Sequence, residues 1–170
     1  MATTKYIGTG EVISADFKAV KWIGKTKGGQ DVIIELENAI NMGNIEWTMA
    51  EKNDVVPNVE FQACYDNTDE TSTSTIEPWS ITIDSATTAG ASEIILGAGT
   101  FYIGTTAIGL TRGGGSFNVE REYREINADG DRGAVKGRVV LESSRAKLSF
   151  NALTMLTRLT DIYTSIAASV

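Results

Sequence analysis

The chain of 170 residues contains no histidine. That removes Ser-His-Asp and Cys-His nucleophilic sites and most zinc sites. Its one cysteine, Cys64, excludes an intrachain disulfide and gives no sign of an oxidising compartment. Prolines number only two, Pro57 and Pro78, which suits long uninterrupted strands. No run of about 18 apolar residues exists, so no transmembrane helix is expected. The first ten residues lack a basic stretch followed by an apolar one, so no signal peptide is visible. Basic residues are also in short supply: 15 against 22 acidic ones, a net charge of −7. A protein that grips nucleic-acid phosphates needs a basic face, and this composition argues against one.

What is present is glycine, 17 residues of it, and an ordinary hydrophobic content of 42%. The length suits one domain, residues 1–170, with a real core. The most organised stretch runs from Gly113 to Leu153 and reads as a long β-hairpin. Phe117, Val119 and Tyr123 alternate with Asn118, Glu120, Glu122 and Arg124, a period of two. The tip, residues 127–133, is rich in Gly and Asp, which favour turns. On the return arm, Val139 and Leu141 differ in parity from Ala146, Leu148 and Phe150, which predicts a bulge or bend around Glu142-Ser143-Ser144. A hairpin this long reaches beyond the body of a small domain and suggests contact with something else.

Before the hairpin, residues 1–65 read as an antiparallel meander of four strands. Residues 1–14 form an extended lead-in; strands follow at 17–26, 30–37, 44–52 and 55–65, with a turn at Thr26-Lys27-Gly28-Gly29 and a connector at 38–43. In the third strand Ile45, Trp47 and Met49 alternate with polar residues. Asp66 to Glu77 is acidic and Ser/Thr-rich and reads as a solvated loop. Residues 78–83 read as a short strand, 84–92 as a small-residue, flexible connector, and 93–109 as two short strands separated by glycines. From Asn151 to Ser169, Leu153, Leu156, Leu159, Tyr163 and Ile166 recur at three- and four-residue steps, which predicts one helix. The expected fold is mainly β: an antiparallel β-sandwich or barrel with one flanking α-helix.

Chemistry-bearing patterns are weak. Gly113–Gly115 lack the Lys-Ser/Thr of a phosphate loop and precede a strand. Asp129-Gly130-Asp131 has no twelve-residue calcium pattern behind it. Glu120, Glu122 and Glu125 could form a carboxylate pair for glycoside hydrolysis, but on a polar strand face they are better read as solvated or paired with Arg121 and Arg124. Trp22, Trp47 and Trp79 could line a sugar platform; core packing is the better reading for Trp22 and Trp47. Cys64 reads as a small filler in a strand. The expectation is a protein that is not an enzyme.

Two blocks resemble one known family. Gly99 to Gly104, Ile108 to Val119, Asp129 to Gly133 and Val135 to Arg138 resemble the N-terminal part of bacteriophage major tail proteins, the subunits of the tail tube. Val20 to Gly29, Asn38 to Asn41 and Glu77-Pro78-Trp79 look like that family's C-terminal part. The blocks stand in permuted order: the meander of residues 1–65 comes first, residues 66–98 join what would be the family's termini, and residues 99–170 carry the hairpin and helix.

The resemblance implies a tail-tube-like β-sandwich that assembles with copies of itself, hexameric rings stacking into a channel through which double-stranded DNA passes without specific binding. It implies contact with other tail proteins, residence in the phage virion after assembly in the bacterial cytoplasm, no membrane and no cofactor. On this reading Arg124, Asn127, Asp129, Asp131, Arg132 and Lys136 make ring-to-ring contacts, and Glu120 and Glu122, with Arg124, face the channel. A tube protein of a contractile injection or type VI-like system is the related alternative. A monomeric β-sandwich binding module with Trp79 or Trp22 exposed is the alternative from another class.

Overall fold

The structure, a computed structural model, describes residues 5–47, 49, 54–66, 77–84, 94–129, 132–133, 135–153, 159–163 and 166–169. Ten strands lie among them: β1 (Lys5–Gly8), β2 (Lys18–Thr26), β3 (Asp31–Asn41), β4 (Asn58–Ala63), β5 (Trp79–Ile83), β6 (Ile95–Ile103), β7 (Thr106–Ala107), β8 (Thr111–Glu125), β9 (Val139–Ala152) and β10 (Ile166–Ser169). A single-turn helix, α1, spans Leu159–Ile162. The fold is mainly β with every pairing antiparallel, as the alternation of apolar residues requires.

One sheet runs β7-β6-β2-β3-β4-β9-β8, with β5 added on β3; a separate ribbon pairs β1 with β10. The pivot is β3. One edge pairs with β2 along its length, while the other is shared: Val32–Leu36 pair with β5 and Ala39–Asn41 with β4. Between these two stretches the β2–β3 register slips by a residue, and Asn38 takes φ 46°, a left-handed conformation that asparagine tolerates better than most residues. The bulge bends β3 where it changes partners. The sheet there separates into two leaves, β6-β2-β3-β5 and β4-β9-β8, that face each other.

The core fills the space between the leaves. Phe150 of β9 stacks on Phe101 of β6 at 4.5 Å and on Phe61 of β4 at 6.2 Å between ring centroids. Val20, Leu36, Val59 and Leu148 are fully buried around them. Trp22 lies flat over Gly24 and Gly99, which face each other across β2 and β6; a Cβ on either would collide with the indole. Those glycines make room for the ring. α1 closes one end by burying Leu159, Ile162 and the adjoining Tyr163. The Lys18–Asp161 ion pair at 2.7 Å and an Asn41 amide donating to the Ile162 carbonyl at 2.9 Å hold it there.

Several expectations are corrected. The long helix over 151–169 is not formed: Asn151 and Ala152 end β9, helix occupies four of the described residues, Leu159–Ile162, and 166–169 form a strand on β1. Ala152 still pairs with Thr111, so the chain is committed to the sheet where the helical spacing would begin. The three- and four-residue spacing of apolar residues arises instead from a short turn that puts Leu159, Ile162 and Tyr163 into the core. Leu156, expected in that helix, lies outside the described residues, as do 154–158, 164 and 165. The third meander strand is also absent: residues 44–47 have no regular structure, Ile45 and Met49 are exposed, and 48 and 50–53 lie outside the described residues. β3 has no edge left for it, since β2, β4 and β5 occupy both sides. The connector at 38–43 is largely strand, and the two strands expected over 93–109 are one continuous strand, β6, followed by the short β7. Most of the expected loop and connector, 67–76 and 85–92, lies outside the described residues.

Candidate functional site

The hairpin of β8 and β9 has the expected geometry. Its pairing runs from Thr111↔Ala152 to Glu125↔Val139. Glu122 faces Ser143 but Tyr123 faces Leu141, so Glu142 is the extra residue of the expected bulge. One backbone bond beyond, Ile126 N–H to Arg138 C=O at 2.8 Å, closes the ladder before the tip.

The inward side chains of β8 meet the opposite leaf in order. Gly115 abuts Phe101 of β6. Phe117 lines one cleft together with Trp22 of β2 and Ile34 of β3, and its ring is 5.6 Å from that of Trp79 in β5. Arg121 stacks over the same indole at 5.8 Å. β8 therefore crosses β6, β2, β3 and β5 in turn and leaves the body past the β5 edge.

At the crossing point sits a polar clamp. The Glu77 carboxylate accepts hydrogen bonds from the Trp79 indole N–H, from the Ser144 hydroxyl at 3.0 Å and from the Arg121 guanidinium at 3.3 Å. Its side chain is only 16% exposed. Burial alone would raise the Glu77 pKa; the three donors and the guanidinium charge outweigh that and hold it below the usual glutamate range. The clamp ties the segment leading into β5 to both arms of the hairpin. Sequence reasoning placed Glu77 in a solvated loop and paired Arg121 with its neighbouring glutamates. The available signal was parity: Arg121 is in step with Phe117, Val119 and Tyr123, a charged residue on an apolar face that calls for a buried partner.

Beyond the clamp the hairpin overhangs. Tyr123, Ile126, Val139, Val140 and Leu141 are between 42% and 57% exposed. Tyr123, Val139 and Leu141 share one face of it. Arg124, Asn127, Asp129, Arg132 and Lys136 are exposed at or near its end; Asp131 lies outside the described residues. Glu120 and Glu122 are exposed on the opposite face, accepting from Asn118 at 3.2 Å and Ser143 at 3.3 Å. The tip residues and the two glutamates are thus on one projection but on different parts of it.

At the other side of the body, between β6 and the first residues of β8, the leaves part around a cleft of about 450 Å³ lined by Trp22, Ile34, Ile95, Phe101, Phe117 and Leu148 together with five glycine and alanine positions. Among the described residues none that lines it is charged. Cys64 is half-buried, and burial pushes its thiol pKa up, away from nucleophilic reactivity. Neither Trp22 nor Trp79 is presented as a flat platform: the first lies on its glycines and the second between Phe117 and Arg121. Among the described residues no helix is long and apolar enough to cross a membrane. No protein-family model, curated protein or solved structure matches the chain.

Proposed function

We propose that this protein is a structural, self-assembling subunit of a phage tail tube, forming rings that stack around a channel for double-stranded DNA. The observation that carries the reading is the hairpin. Its outer half is a two-stranded element held in a fixed direction by the Glu77 clamp, leaving apolar side chains without cover from their own body. An isolated two-stranded ribbon is marginal in water, and contiguous exposed apolar side chains mark contact surfaces. The resemblance of the glycine-rich blocks to major tail proteins names the kind of assembly. The pairing of Lys5 with Ser169 sets the two described ends side by side, an arrangement that a permuted order of blocks calls for.

In this reading Arg124, Asn127, Asp129, Asp131, Arg132 and Lys136 contact the next ring, and Glu120 and Glu122 face the channel, where carboxylates repel DNA phosphates and keep the passage unsticky. No chemistry is performed and no cofactor is used. The test is the purified chain over a concentration series, followed by sedimentation and negative-stain microscopy. Rings or tubes are expected. A monodisperse 18.2 kDa species at every concentration would refute the reading and favour a monomeric module using the apolar cleft.

A further inference from the structure

The overhang and the cleft lie on opposite sides of the same leaf, and they are of matching chemistry. The hairpin leaves past β5; the cleft opens beside β6, three strands away. A projection on one side and a receiver on the other make a head-to-tail contact, which closes into a ring or runs on as a filament. We propose that the outer half of the hairpin of one copy seats in the cleft between β6 and the start of β8 of the next copy. This proposal rests on the self-assembly reading above and specifies its contact.

Three observations commit the occupant to a second copy. The first is the open edge. From Ile95 to Thr100, β6 has no strand on its outer side among the described residues, and the stretch Ile94–Ile103 contains neither a charge nor a proline, the usual guards against edge pairing. Beyond Lys147, where β4 stops pairing, β9 likewise has no outer neighbour, so a hairpin arm can run alongside β6. The second is charge. Residues 121–142 carry five basic and five acidic side chains, so the whole net charge of −7 resides in the rest of the chain. A neutral arm entering an uncharged cleft avoids the repulsion that two acidic bodies would otherwise feel. The third is area. The ladder runs four residue steps past the clamp, to Glu125↔Val139; a two-stranded ribbon of that length offers about 14 Å by 10 Å per face, or roughly 280 Å² over both faces, less than the about 800 Å² per partner of a stable pair. One such contact is weak. An assembly in which every copy both gives and receives an arm makes two contacts per subunit and is favoured over an isolated pair.

Cross-linking between two single-thiol proteins tests it. In a Cys64→Ser background, one protein carries Val139→Cys on the arm and the other Ile95→Cys at the cleft. Within one chain these positions are on the order of 25–30 Å apart, counting four residue steps past the clamp and three strand spacings across the leaf. After mixing and treatment with a short thiol-reactive cross-linker, a linked heterodimer is expected, with little or none when either protein is treated alone. Leu141→Asp added to the Val139→Cys protein should reduce the linked fraction at least tenfold while leaving the circular dichroism spectrum unchanged. Rings or tubes on the microscope grid with no link on mixing, or with equal links in each protein alone, would overturn the docking while leaving self-assembly intact. Monomers throughout would overturn both.

Discussion

The two halves of the β8–β9 hairpin are built on the same alternation and meet opposite fates. In the inner half, Ala146, Leu148, Phe150 and Ala152 are buried, because β4 pairs alongside and the leaf of β6, β2 and β3 lies beneath. In the outer half, Tyr123, Val139 and Leu141 follow the same face and stay 42% to 57% exposed. The Glu77 clamp is the border. The contrast separates apolar patterning that builds the core from apolar patterning that does not: the inner half holds the fold together, and the outer half is surplus to it.

Truncation should expose that division most strongly at Phe150, whose ring bridges Phe61 and Phe101. Phe150→Ala is expected to cost about 3–5 kcal/mol, since it leaves a cavity between two leaves that cannot collapse independently. Urea unfolding followed by tryptophan fluorescence reads it. The same truncation in the outer half, Leu141→Ala, should stay within about 0.5 kcal/mol. A comparable loss at both positions would erase the distinction between the halves.

A smaller effect is expected at the floor of the cleft. Gly99→Val places branched carbon where the Trp22 indole and the Ile23 carbonyl already sit, and should cost about 1–3 kcal/mol by overpacking. Trp22→Ala in the same chain should recover part of that loss relative to Trp22→Ala alone, because the collision is removed. Thermal melts of the four proteins form the cycle.

The border itself is pH-dependent. Glu77 has a folded pKa below its unfolded one, so its contribution is fully present above the ordinary glutamate value, about 4.3, and is lost as pH falls through the lowered folded value. The groups facing it are Arg121, Tyr65, Trp79 and Ser144. Glu77→Gln should therefore cost about 1–3 kcal/mol at neutral pH, the range for hydrogen bonds to a charged acceptor, and the gap to wild type should close below pH 4. A gap that persists unchanged into acid would mean that the carboxylate charge is not what the clamp uses.

How far the sequence carries this picture depends on the length over which a pattern repeats. The hairpin was legible because its two strands, fifteen and fourteen residues long, carry long alternating runs, and a parity change at Glu142 was enough to locate its bulge. The C-terminal segment misled because helical spacing over a few residues cannot be told from a strand end followed by a short turn that buries Leu159, Ile162 and Tyr163. Residues 44–47 misled for a different reason: alternation predicts a strand only where a neighbouring strand has an edge to offer, and β3 had none. In the candidate site, the exposed tip residues followed from composition. The clamp did not, because Glu77 and Arg121 are 44 positions apart and only the crossing of the two leaves brings them together.

The proposed division makes the outer half of the hairpin a contact between copies that contributes little to the fold of its own chain. Sedimentation velocity of the Tyr123→Ser/Leu141→Asp double variant against wild type, each at high concentration and with its melting temperature measured alongside, tests that claim directly. The predicted result is a wild type that assembles and a variant that remains at 18.2 kDa with an unchanged melt. A variant that assembles as readily as wild type, or one that loses its fold, would contradict it.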